Sequence, residues 1–266
     1  MFNRIVAAIA LVAGLMPAPA RSADALALKV LGFSPDGRYF AFMQYGPQWE
    51  AERFFAETFV IDASRDRFVQ GAPVRVTAPM KDGTTEDNVE PALKAFVAHA
   101  GKRASGVLNP HKVTKPGALL VKVEEARSGE HGSGCDQPKA GVPSVTAKHP
   151  QLGDLRLTLD LKQLDWPKSS KLGAHKGAVL CADELDGTKG AGFRLTLEHA
   201  SRTIVLNDDQ TIPASRHCVT GYGLAEVHAF DRPDGKVTLA VILGMETRGF
   251  EGQDRVFLGV TRVLER

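Results

Sequence analysis

The 266-residue sequence predicts a mainly β protein, antiparallel, built as propeller-like blades or a β-sandwich with one helical insert. Three observations predict it. Residues 33–42 join a turn of fixed chemistry to an aromatic strand, several later segments alternate apolar and polar residues with period two, and one stretch changes to the helical period.

The hairpin comes first. In Phe33-Ser34-Pro35-Asp36-Gly37, Pro35 holds φ near the value that the second position of a type I turn needs, and Ser34 and Asp36 can bond the turn backbone. Gly37 can then take the left-handed conformation that closes the turn. Residues 29–32 lead in and residues 39–43 lead out as strand formers, with both arms expected to be buried on two sides. Residues 58–62, a turn at 62–66 and residues 67–69 extend the pattern to about four strands in roughly 45 residues, the size of one blade. A partial echo lies near the C-terminus, where residues 227–230 lead to Pro233-Asp234-Gly235. In both places a Phe follows the turn Gly by 22 residues, Phe59 after Gly37 and Phe257 after Gly235.

Export is the next expectation. Residues 1–23 have the pattern of a secretory signal peptide: Arg4, an apolar run at 5–15, and small residues at 18–20. The run is short for a membrane span, and no later stretch is longer, so no span is expected after cleavage. The formal charge of +2 falls to about +1 without Arg4, which gives no reason to expect nucleic acid as a partner. Residues 24–266 are expected to form a single mainly-β domain.

Within that domain, residues 88–101 change period. Pro91 suits a first helical turn, Leu93, Phe96, Val97 and Ala100 share one face, and Gly101 is the expected stop. Residues 118–123 form a strand, and residues 127–151, rich in Gly, Ser, Pro, Lys and His, are expected to be a flexible loop. Strands return at 155–159, 193–197 and 203–206, the first two with clean alternation, and then at 237–243 and 255–260.

Three cysteines in an exported chain imply one disulfide and one remaining thiol, with three pairings open among Cys135, Cys181 and Cys218. Cys181–Cys218 is favoured because residues 179–181 read as a strand and residues 216–218 open the last β region, whereas Cys135 lies in the glycine-rich loop.

Residues with chemical potential are dispersed. The eight histidines show no His-Glu-x-x-His, and no Cys-x-x-Cys occurs, so no metal site and no cofactor are predicted. His131 with Cys135 could supply a thiol nucleophile, but Gly132-Ser133-Gly134 lacks nucleophile-elbow spacing. Asp208 with Asp209, and Asp183 with Glu184 and Asp186, read as solvated turns rather than calcium loops. The connection at 248–254 is the candidate binding loop, with Phe250, Glu251, Asp254 and Arg255 as its recognition residues. No catalytic signature is present. A periplasmic ligand-binding or protein-interaction module, whose partner is an unidentified periplasmic protein or small ligand, is favoured over a hydrolase assembled from distant residues.

The first hairpin resembles the strand pair of Tol-type β-propeller blades. More of the chain is covered by a second resemblance. The leader, Phe33-Ser34-Pro35-Asp36-Gly37, Ile212-Pro213-Ala214-Ser215-Arg216-His217-Cys218, and Gly249-Phe250-Glu251-Gly252 followed by Asp254-Arg255 are together similar to a bacterial family of predicted secreted proteins, the domain of unknown function 2259. That resemblance implies export and a single domain family, and no known activity, substrate or cofactor. Cys181 and Cys218 match the family's cysteine positions, which favours their pairing.

Overall fold

Three antiparallel sheets stack face to face, and helices cover the outer face of the first. The computed structural model describes residues 25–123, 143–168, 181, 189–248 and 253–266. β1 (Ala27–Phe33), β2 (Tyr39–Gln48), β3 (Arg53–Asp62) and β4 (Arg67–Phe68) are neighbours in chain order, and β5 (Val74–Pro79) pairs with β3 on the side it also offers to β4. α1 (Glu90–Arg103) and α2 (Ser105–Leu108) follow, then β6 (Ala118–Lys122). β7 (Ser144–His149), β8 (Gly153–Leu164), β9 (Gly190–His199) and β10 (Arg202–Asp208) form a second meander. β11 (Val219–Asp231), β12 (Val237–Arg248) and β13 (Gln253–Leu264) join β6 in a central sheet of order β13-β12-β11-β6.

The alternation of side chains dictates this stacking. On β12, Leu239, Val241, Leu243 and Met245 pack against Leu155, Leu157, Leu159, Phe193, Leu195 and Leu197 of β8 and β9. Ala240 and Ile242 point the other way, into Phe40, Phe42, Phe59 and Ile61 of the first sheet. The run 239–245 of β12, apolar at every position, is thus buried on both faces. β2 repeats the device one layer out. Its Phe40 and Phe42 face the central sheet, while Met43 packs with Phe96 and Ala100 of α1 and Ala41 with Val107 of α2. Between the two sequence alternatives, the layered sandwich is the one realised and the radial, propeller-like arrangement is not, because the sheets meet over extended apolar faces.

Groups on the first sheet and in the segments flanking its strands cover the edge of β13. Gln44 Oε1 accepts the Phe257 N–H at 2.7 Å, Asp66 Oδ1 accepts the Thr261 N–H at 2.7 Å, and the Leu26 N–H donates to the Arg255 carbonyl at 3.1 Å. An edge that would otherwise offer unpaired N–H groups is therefore occupied. Glu57, buried between the sheets, accepts from Gln44 Nε2 at 2.9 Å and from Arg75 at 3.0 Å.

The first turn is seated on the central sheet, where Thr238 Oγ1 donates to the Gly37 carbonyl at 2.6 Å. Gly37 has φ +67°, and a Cβ there would lie 2.8 Å from the Phe230 ring. β1 is less enclosed than expected, since its first residues alternate between exposed and half-buried.

α1 differs from the sequence expectation at its end. It runs through Gly101 to Arg103, where Lys102 and Arg103 suit the carbonyl end of the helix dipole, and the Ala104 N–H donates back to the Ala100 and Lys102 carbonyls. The tail of the stretch expected to be loop, 127–151, is a strand, since β7 pairs with β8 and buries Ala147 and His149. Residues 1–23, expected to be a signal peptide, Cys135 and Val179-Leu180 lie outside the described residues. The disulfide joins Cys181 to Cys218, with Cα atoms 5.5 Å apart.

Candidate functional site

The candidate site is a cleft of about 290 Å³ where β2 begins and β3 ends, lined by Tyr39, Asp62, Arg65, Arg67, Phe68, Val69, Gln70 and His111. Local rules put these groups together. Tyr39 shares strand parity with Ala41 and therefore lies on the helix-covered face, among Val107 and Leu108 of α2. His111 follows α2 directly; its Nδ1–H donates to the Val107 carbonyl at 2.7 Å, and its ring meets the edge of Tyr39 at 4.4 Å. That bond leaves Nε2 as the ring nitrogen able to meet a ligand. Arg65 and Arg67 come from the turn and short strand that follow β3, and both are exposed.

The one carboxylate of the cleft is already satisfied. Asp62 Oδ2 accepts from Arg38 at 2.9 Å, and Oδ1 accepts the Ser64 N–H at 3.1 Å and the Ser64 hydroxyl at 2.5 Å. Partial burial works to raise its carboxyl, but the bonds from Arg38 and Ser64 outweigh this and hold it below the usual carboxylate range. Arg38 in turn lies 5.1 Å over the Tyr39 ring. Arg65 and Arg67 have no ion-pair partner among the described residues. What faces the cleft is thus a set of donors, two guanidinium groups with an imidazole, a phenol and the Gln70 amide. Such a set suits a carboxylate or phosphate oxygen cluster, which arginine can grip with two parallel N–H donors.

The residues singled out in sequence have other positions. Asp254 and Arg255 are ladder residues of β13, opposite Thr247 and Glu246, and not loop residues, because the β12–β13 register continues to Arg248 and Gln253. Phe250 and Glu251 lie outside the described residues, as do His131, Asp183, Glu184 and Asp186. Asp208 and Asp209 do not act as a pair. Asp208 is bridged to Lys162, whereas Asp209 is buried and joined to Arg216 at 2.6 Å, so it is no solvated turn residue. No group of three or more His, Cys, Asp or Glu side chains among the described residues is arranged to hold a metal ion. Tyr39, Arg65, Arg67 and His111 were not singled out. The alternating charges of Arg65-Asp66-Arg67 were a local signal, but His111 reaches the cleft only through the packing of α2.

A family model of predicted secreted proteins, DUF2259, matches residues 41–262. The chain belongs to that family. No curated protein and no solved structure matches the chain. The DUF2259 match runs from β2 nearly to the end of β13 and includes strands of all three sheets (though not β1), the disulfide, and every cleft residue except Tyr39. Among the described residues, no helix of this DUF2259 protein is long and apolar enough to cross a membrane.

Proposed function

We propose that this DUF2259 protein is an exported, periplasmic binding module that takes a small anionic ligand in the cleft of Tyr39, Arg65, Arg67 and His111. The observation that carries the reading is the pair of guanidinium groups without ionic partners among the described residues, beside a carboxylate already neutralised by Arg38. A concave wall of donors whose own acid is occupied is complementary to an anion. The leader at residues 1–23 supports export, and the membership in a family of predicted secreted proteins agrees with it. In the same reading, the β12–β13 connection with Phe250 and Glu251, together with Asp254 and Arg255 at the start of β13, is a second contact surface, suited to a protein partner.

Calorimetric titration of the purified protein with inorganic phosphate and with citrate tests the cleft. Saturable binding of at least one probe is expected, weakened about tenfold or more in the Arg65→Ala/Arg67→Ala double variant and unchanged in Arg103→Ala, which removes an equal type of charge from α1. Equal titration curves for all three proteins would sink the reading. Turnover of ester or phosphate substrates that is lost in the same double variant would replace binding by catalysis.

A further inference from the structure

A second cleft, of about 310 Å³, opens at the other end of β3, between α1 and the β5 edge. Phe54 and Asp62 mark the two clefts on one strand, eight residues apart, which separates them by roughly 26 Å at ~3.3 Å per residue. This second cleft has the opposite character. Its floor is Phe54 and Phe96, stacked with centroids 5.5 Å apart, and Ala78, Pro79 and Ala92 extend the apolar wall. Ala92, Phe96 and His99 share one face of α1 at helical spacing, so the small side chain of Ala92 leaves the space that a larger residue would fill.

The rim is basic and internally braced. Lys81 and His99 line the cleft, and Lys81 has no ionic partner among the described residues. The Met80 N–H donates to the Glu52 carbonyl at 2.8 Å, and the Thr84 hydroxyl donates to the Lys81 carbonyl at 2.7 Å, so the backbone that carries Lys81 is held in place. Asp82, Glu86 and Asp87 of the same loop do not line the cleft. An apolar floor beneath an ammonium group and an imidazole able to donate a hydrogen bond matches a molecule with an apolar tail and an anionic head. The volume is at the lower end of the ~300–1,000 Å³ usual for ligand sites, which limits the tail to short or medium length.

We propose that this cleft binds a short- or medium-chain carboxylic acid, with its chain on Phe54, Phe96, Ala78 and Pro79 and its carboxylate at Lys81 and His99. The site is separate from the anion cleft, and neither proposal depends on the other.

Sodium decanoate and 1-decanol, titrated below their aggregation limits and followed by calorimetry, provide the test. Wild type is expected to bind decanoate saturably, and Ala92→Leu to bind it about tenfold more weakly or worse because the larger side chain occupies the cleft. Lys81→Ala is expected to weaken decanoate about three- to fivefold and to leave 1-decanol unchanged. A thermal melt of Ala92→Leu matching wild type excludes unfolding as the cause. If that variant melts early, the Lys81→Ala contrast between the acid and the alcohol decides the matter alone. Arg65→Ala/Arg67→Ala is expected to bind decanoate as wild type does. No saturable decanoate binding, or an equal loss of acid and alcohol in Lys81→Ala, would overturn the proposal.

Discussion

The Arg216 guanidinium donates to Asp209 Oδ2 at 2.6 Å while lying 5.0 Å over the Phe193 ring. The same carboxylate accepts the Phe193 N–H at 3.0 Å and the Asn207 amide at 3.0 Å, and both charged side chains are largely buried, at 12% and 6% exposed. Asp209→Ala would therefore leave a buried cation without its anion and the buried Phe193 N–H without its acceptor. Removing one member of such a pair costs about 3–5 kcal/mol. Urea unfolding of Asp209→Ala is expected to show a loss in that range; a loss below about 1 kcal/mol would contradict the role assigned to the pair.

Arg216 also donates to the Tyr222 hydroxyl at 3.1 Å. Burial pushes the Tyr222 phenol up to about 12 and outweighs the opposing pull of Arg216. A folded-state value above the unfolded value near 10 means a contribution to stability that is complete below pH 10 and is lost as pH rises through about 12. Two units correspond to at most about 2.7 kcal/mol. Stability measured from pH 9 to 12 should fall more steeply for wild type than for Tyr222→Phe; parallel curves would remove Tyr222 as the cause.

Asp66 is an exposed turn residue, but its carboxyl packs against β13, and the loss of solvent there raises it despite bonds from Thr261. Its contribution is present below the unfolded value near 3.8 and is lost as pH rises through the raised folded value, so at neutral pH the ionised group weighs against the fold. A single oxygen, Oδ1, accepts both the Thr261 N–H and its hydroxyl, and the residue has φ +49°. Asparagine can keep that oxygen and tolerates the left-handed backbone. Asp66→Asn is therefore expected to match or exceed wild type in denaturation midpoint at pH 7, and Asp66→Ala to fall below both. An Asp66→Asn variant as weak as the Ala variant would show that the charge itself is needed.

Cys181 and Cys218 are 37 positions apart. Cross-linking a loop of that length restricts the unfolded chain by about 4 kcal/mol. Cys181→Ala/Cys218→Ala should lose a comparable amount in urea, and wild type under reducing conditions should approach the double variant. If the double variant kept wild-type stability, the loop-closure argument would not hold for this bond.

Local chemistry carried most of the strand pattern. Ser34, Asp36 and Gly37 do what their types imply, with Ser34 Oγ donating to Asp36 at 2.5 Å and the Arg38 N–H donating to Asp36 at 3.0 Å. Leu155, Leu157, Leu159, Leu195 and Leu197 are buried at every alternate position, as their spacing requires. The echo between the two ends has a tertiary meaning that spacing could not supply, since Phe59 and Phe257 belong to the same core cluster between the first and central sheets. Asp209 was misread because turn composition says nothing about an arginine brought over it by the segment leading to β11.

By itself, the sequence determined the elements and their inward faces: turn dihedrals, strand alternation and the α1 stripe. These depend on residues within a few positions of one another. The tertiary structure decided which faces meet, that β12 lies between two sheets, and that Tyr39, Arg65 and Arg67 share a cleft with His111 while Phe54 shares another with Phe96. The physical reason is that apolar burial is non-directional. It specifies that Ile242 and Leu243 must both leave water, but only the packed shapes of three sheets and a helix settle what each of them touches.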